Sequence, residues 1–315
     1  MRAPLRIAAV LIAVGLALAG GSVWWHRHES ARRGVALAVR GGDGGGLPLN
    51  SPADEHMDAT ALARIAQDPA AAGLRALLIT RHGHLVYSQY GHGLDAHTVI
   101  DSGGFARVLV ALAAGVAGDE HQLGEAPLVF RPDALRDLIE TQTHEHYADY
   151  LGDHLWSRLN AAPAWIEAAS QTAPAPADCC FHARILDWLR VGELLANNGS
   201  FEETTIVSEP WMLRMRQPQA SGVAGYGVLL PSQRPGAPSY EARDLLLLRG
   251  PAHWRLWIVP SLQLVVLFGA GSADEDASSA ADPWDETRVP NMVIEAVIDR
   301  PAPTSTLLQQ LVHGH

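Results

Sequence analysis

The chain has 315 residues, a formal net charge of -11, and 48% hydrophobic against 18% charged residues. That length and apolar content suit a globular protein of one large domain or two modest ones, and the acidic balance argues against nucleic acid and against general adhesion to anionic lipid. All 23 basic residues are Arg, so no lysine is present to act as a general base.

Residues 7–25 carry no charge, nineteen in succession, close to the ~20 needed to cross a bilayer. Arg2 and Arg6 precede this run, and Trp24 and Trp25 stand where an interfacial aromatic belt would lie. The segment 1–26 reads as an uncleaved N-terminal membrane anchor. A cleaved signal peptide ending at Ala17-Leu18-Ala19 is the alternative. The first form places the bulk of the chain on the periplasmic side of the inner membrane, and the second releases it into the periplasm. Residues 27–52 include Gly41-Gly42-Asp43-Gly44-Gly45-Gly46 and read as a flexible linker. The folded domain is expected over 53–300, with a tail over 301–315.

Within the domain, Asp58 or Thr60 can cap a short helix through Ile65 that stops before Pro69. Leu77 to Thr80 and Leu85 to Tyr87 read as strands joined at Gly83 in a hairpin. The stretch from Asp101 to Leu123 opens with Ser102, Gly103 and Gly104. It then repeats apolar residues at helical spacing (Phe105, Val108, Leu109, Leu112, Val116), with small residues on its other faces. A helix this apolar belongs in the middle of a domain. Helices follow at 133–143, 147–159 and 183–197, the last closed by Asn198-Gly199, and a short one at 210–215. The Ala- and Pro-rich stretch 161–177 reads as loop, and 272–281 as an acidic loop. Strands are expected at 245–248, 255–259 and 264–268, and a final helix at 290–298. Strands at both ends with helices between them predict one antiparallel sheet made from the early and late hairpins, with the central helix on its face.

The adjacent Cys179 and Cys180 close only a strained ring when bonded, so they read as two small buried residues. Among the 15 His, His144 and His146 fall on different helix faces. His82 and His84 share a face of the hairpin, but no third ligand is in view, so no metal and no cofactor is expected.

Several phrases resemble the β-lactamase-like serine hydrolases, a group that includes class C β-lactamases, penicillin-binding proteins, family VIII esterases and aminohexanoate-oligomer hydrolases. The run from Ile79 to Val86, with Tyr90-Gly91, is similar to the group's opening hairpin. Gly115-Val116-Ala117 with Leu123 is similar to the end of its catalytic helix. Asp149-Tyr150-Leu151 with Leu155-Trp156 and Leu159 resembles its later helix pair. The segment from Cys179 to Gly192 is the most specific match, and Trp257 to Pro260 with Leu264 to Val266 resembles the closing hairpin. The resemblance covers about Leu74 to Val297. It implies an α/β (α+β) fold of β-lactamase/transpeptidase type, an antiparallel sheet flanked by helices, with the helical part shortened because only 124–129 separate Leu123 from Phe130.

The resemblance also implies three chemical motifs, and all three are altered. The serine of Ser-x-x-Lys falls on Gly104 and its lysine on Arg107. Glycine has nothing to attack with, and arginine keeps its proton. Shifting the register to make Ser102 the nucleophile puts Phe105 at the lysine position. The second motif falls on Phe130-Arg131-Pro132, without hydroxyl or amide. The third falls on Leu248-Arg249-Gly250, where Gly250 retains a backbone N–H for the cleft. Losing a nucleophile and base that act as a unit removes ~10⁶-fold of rate in a comparable serine hydrolase. Ser102 reads as a helix cap, with nucleophile as its competing role. Arg107 reads equally as half of a structural ion pair or as a carboxylate-recognising fork.

The expected function is that of a non-catalytic homologue. It would bind a membrane or periplasmic protein partner, or a carboxylate-bearing ligand such as a cell-wall peptide, in a vestigial pocket of Gly104, Arg107, Phe130 and Gly250. The competing reading is a hydrolase of an ester or amide using Ser102 with a histidine base. A third is a structural protein whose cleft is closed and filled.

Overall fold

The computed structural model describes residues 34–121, 123, 130–219, 224–233, 239–271 and 284–300. The expected anchor at 7–25, the connection 124–129, the acidic loop from 272 and the tail from 301 lie outside them. Among the described residues no helix is long and apolar enough to cross a membrane.

In chain order the strands are β1 (Val35–Val39), β2 (Ala76–Arg81), β3 (His84–Tyr90), β4 (Val99–Asp101), β5 (Ala164–Ala168), β6 (Phe181–Arg184), β7 (Ser200–Phe201), β8 (Thr204–Thr205), β9 (Leu246–Arg249), β10 (Arg255–Val259) and β11 (Leu264–Gly269). The helices are α1 (Ala59–Ile65), α2 (Ala106–Asp119), α3 (Pro132–Thr143), α4 (Tyr147–Leu151), α5 (Ile185–Ala196), α6 (Glu209–Met215) and α7 (Arg288–Glu295). Asp58 caps α1, its carboxylate accepting the N–H groups of Thr60 and Ala61.

The early and late hairpins join as expected. The main sheet runs β3-β2-β11-β10-β9, antiparallel throughout, with β2 and β11 in register from Ala76 opposite Gly269 to Arg81 opposite Leu264. β2, β10 and β11 are buried along their whole length, because helices cover both faces of the sheet. One face packs α1 and α7 with Leu77, Ile79, Trp257 and Val266. The other face packs the helical layer with Leu78, Leu256, Ile258 and Val265.

The helix laid on that second face is α5 rather than the central α2. Gly192 allows the approach, since a Cβ there would stand 2.3 Å from Val265 Cγ1. Every residue of α5 is buried. α2 lies behind it among α3, α4 and α6, buried at Ala106 and from Val108 to Ala117. Gly115 makes room there for Trp211, whose indole Nε1 donates to Ala111 O at 3.0 Å.

Three further expectations need correcting. The stretch 161–177 contains β5, the second strand of a smaller sheet ordered β1-β5-β6-β4. Its partner β1 begins inside the segment read as a linker, so the folded domain starts at least eighteen residues earlier than expected. The glycines that follow are fixed by α5 and its neighbour. Arg184 Nη2 donates to Gly44 O at 2.7 Å, Arg190 donates to Gly45 O, and Gly42 N–H reaches Ala161 O at 2.7 Å. A Cβ on Gly41 would overlap the backbone at Ala162 and Pro163, each 2.4 Å away, so glycine here serves close contact rather than flexibility. Cys179 and Cys180 are bonded to each other and half-buried, not two free core residues.

Glu193, on α5, faces β2 with 2% exposure and accepts the Thr80 hydroxyl. Burial pushes its carboxyl up to about 7, against the lowering effect of Thr80, Asn197 and the Gly83 N–H. A carboxyl that holds its proton more tightly when folded stabilises the native state at low pH and loses that contribution as pH rises from its unfolded value, about 4.3, through 7. The Glu193→Gln variant removes this dependence. Its unfolding free energy should gain roughly 3 kcal/mol on wild type between pH 4 and pH 8, read from urea titrations at several pH values.

Candidate functional site

β4 delivers the chain to the start of α2 through a tight turn. The carboxylate of Asp101 accepts the Gly103 N–H at 3.0 Å, and Gly103 takes a left-handed φ of 47°. A short 3₁₀ turn, Gly103–Phe105, then leads into α2. Opposite it lies the end of β9 and the turn after it, Arg249-Gly250-Pro251. The helix start and the late strand are thus brought together as the sequence resemblance requires.

Their contact is backbone on backbone. The position of an added Cβ on Gly104 is 2.5 Å from Arg249 O, and on Gly103 it is 2.9 Å from Pro251 Cδ. On Gly250 it would lie 2.9 Å from Trp254 Cβ and 3.3 Å from Ser102 O. Three glycines therefore close the junction where a side chain would otherwise keep it open.

The groups expected to line a pocket are engaged elsewhere. Ser102 is fully buried, and both its N–H and its Oγ donate to Phe181 O, at 2.9 and 2.5 Å. It does not cap the helix through its side chain, and among the described residues no histidine hydrogen-bonds its hydroxyl. The Gly250 N–H, expected to face the cleft, donates to Trp254 O at 2.9 Å. Arg249 forms a bidentate pair with Glu286, at 2.9 and 2.5 Å, and Arg255 joins the same carboxylate. Burial pushes Glu286 up, but its two arginines outweigh that and hold it below the ordinary carboxylate range.

Arg107 is exposed on a helix otherwise buried from Ala106 to Ala117, and among the described residues it forms no ion pair. Its carbonyl is covered by Gly227, whose Cβ position would fall 2.6 Å away. The neighbouring Tyr226 meets Phe130 edge-on at 5.4 Å and lies under the Arg214 guanidinium, which also stacks over Trp211. Three residues after Tyr226, Leu229 exchanges both backbone hydrogen bonds with Leu247, at 2.9 and 3.0 Å, on the outer edge of β9. The segment 226–229 thus runs as a strap between α2 and β9. Sequence reasoning placed Phe130 here but missed Tyr226, Trp211 and Arg214. The Tyr226-Gly227 pair, an aromatic beside a glycine, was the available signal.

His82 and His84 converge on Glu55, with Nδ1 atoms 2.6 and 3.0 Å from its carboxylate. Among the described residues no group of three or more His, Cys, Asp or Glu is placed to hold a metal ion. A surface cavity of about 380 Å³ lies beside α7, lined by Asp285, Arg288, Asn291 and Glu295 among others, and includes none of Ser102, Gly104, Arg107 or Gly250.

The five-stranded antiparallel sheet, its helical layer and the buried helix that starts against β9 make up a fold shared with solved β-lactamase-like hydrolases. Solved structures agree. A protein assigned as a 6-aminohexanoate-dimer hydrolase from Bacillus anthracis superposes with a TM-score of 0.61 at 14% identity, covering 84% of this chain and 90% of its own. A β-lactamase from Mycobacterium bovis gives 0.57 at 15% identity, covering 76% and 99%. A hydrolase with promiscuous acyltransferase activity gives 0.57 at 14% identity, covering 79% and 100%. No protein-family model matches the sequence, and no curated protein matches it.

Restoring the missing residue types should not restore a site. The Gly104→Ser, Arg107→Lys double variant is expected to form no adduct with a fluorophosphonate probe. It should also unfold more easily, by about 1–3 kcal/mol, because the new Cβ is driven into the Arg249 carbonyl. Adduct formation by mass spectrometry and thermal unfolding check both parts.

Proposed function

We propose that this chain is a non-hydrolytic relative of the β-lactamase-like enzymes that works by binding. Its ligand is a carboxylate-bearing peptide, from the cell wall or from a protein partner, met at the exposed Arg107 rather than inside the junction. One observation carries the reading: where an attacking hydroxyl would stand, Gly104 lies directly against the Arg249 backbone. Acyl transfer needs a nucleophile, a base to take its proton and donors for the developing oxyanion. Glycine, a permanently protonated arginine and an N–H already given to Trp254 supply none of these.

Arg107 supports the binding half of the reading. A planar guanidinium that has no carboxylate partner among the described residues is suited to take one from a ligand by two parallel hydrogen bonds. The backbone of Arg107 lies under the strap at 226–229, where the Cβ position of Gly227 would fall 2.6 Å from its carbonyl, while its side chain is exposed. The uncharged run 7–25 supports tethering at a membrane, with the domain on the periplasmic side.

Activity-based labelling tests the first half. Neither a fluorophosphonate nor a fluorescent penicillin should label the full-length chain. An adduct that disappears in Ser102→Ala would instead establish an ester or amide hydrolase. Calorimetric titration with a cell-wall muropeptide tests the second half. Binding should weaken about tenfold or more in Arg107→Ala, the loss expected for one charge-assisted pair.

A further inference from the structure

The vicinal pair Cys179–Cys180 sits beside the turn that closes the junction. The two residues are joined by a disulfide, half-buried, with Cys180 in the left-handed region at a φ of 65°. A bridge between neighbours closes almost no chain, so it removes little entropy from the unfolded state and cannot serve as a staple between distant segments. What it constrains is the local backbone.

That backbone is the start of β6, and each residue there holds something. The carbonyl of Cys180 accepts the Glu167 N–H at 2.8 Å, the next rung after Ile166 opposite Phe181 in the β5–β6 ladder. The carbonyl of Phe181 accepts both the N–H and the hydroxyl of Ser102. His182 pairs across from Asp101, whose carboxylate holds the Gly103 N–H. Three consecutive residues thus lead from the bridge to the turn that presses Gly104 on Arg249. The Phe181 ring is fixed as well, edge-on to Trp156 at 4.9 Å.

We propose that Cys179–Cys180 is a thiol–disulfide exchange site for a dithiol reductant, and that its reduction loosens the hold of β6 on the Ser102–Gly104 turn. A thiolate of the reductant attacks one sulfur, the protein S–S bond breaks, and the other cysteine leaves as a thiolate and takes a proton. The second thiol of the reductant then attacks the mixed disulfide. The products are two protein thiols and one oxidised reductant, with two electrons and two protons transferred. Once opened, Cys180 no longer has to keep a conformation disfavoured for a residue with a Cβ. The rung to Glu167 and the Phe181 carbonyl that grips Ser102 are then free to shift. This site is independent of whether the chain binds a carboxylate at Arg107.

The chain has only these two cysteines, which makes the test clean. Full-length protein is treated natively with dithiothreitol and then with iodoacetamide, and its intact mass is read. The expected result is no alkylation before reduction and two carbamidomethyl groups after it. Hydrogen exchange of the same samples should be at least tenfold faster at the Ser102 amide in the reduced form. Phenylarsine oxide, which bridges two thiols, should slow it again. A Cys179→Ser, Cys180→Ser variant should exchange like the reduced form and ignore dithiothreitol; if it does not fold, the wild-type arms decide alone. Alkylation without reductant, a bridge that resists dithiothreitol in the native protein, or unchanged exchange at Ser102 after reduction would each overturn the proposal.

Discussion

The contact between Gly104 and the Arg249 carbonyl organises this molecule. Two backbones meet there without a side chain between them, and the surroundings are consistent with that closeness. Gly103 turns through a left-handed conformation, Gly250 gives its N–H to Trp254, and Ser102 spends its hydroxyl on Phe181. Each choice satisfies a polar group that an open cleft would have left to water or to a substrate. The strap at 226–229 extends the closure by laying Gly227 on the first turn of α2.

The exclusive use of arginine has a visible structural consequence. Loops in this chain are tied down by guanidinium groups donating to main-chain carbonyls. Arg81 reaches Glu55 and His56, Arg136 reaches Ala175, Arg190 reaches Leu159 and Gly45, Arg216 reaches Leu195, and Arg255 reaches Ala252 and Trp254. A planar fork with five donors can serve several acceptors at once from a fixed position, which a single ammonium on a flexible stem does less well. The glycine-rich stretch 41–46 is ordered by this means, against what its composition suggests.

Much of the fold was legible in the sequence because it rests on local periodicity. The hairpin at Gly83, α3, α5 and the β10–β11 pair all follow from apolar spacing and turn residues. β1 and β5 were not legible, since one is preceded by arginines and followed by glycines and the other lies among Ala and Pro; only their pairing to each other makes them strands. The site divides the same way. Gly104 and Arg107 could be placed by counting along a motif, whereas closure of the junction depends on a contact between residues 104 and 249 that no local pattern carries. The abundance of histidine has a backbone origin. Five histidines (His56, His82, His92, His121 and His144) hold left-handed turn positions, where histidine is enriched among residues with a Cβ. Their abundance therefore reflects chain reversal at least as much as chemistry.

Both margins of the five-stranded sheet are occupied from within. Leu229 bonds to the outer side of β9, and on the far side Leu85 of β3 exchanges hydrogen bonds with Pro48 and Asn50. Short runs of this kind blunt a sheet against strand-by-strand recruitment of another polypeptide. A polypeptide that added itself to this five-stranded ladder would first have to displace those inner runs at Leu229 or at Pro48–Asn50.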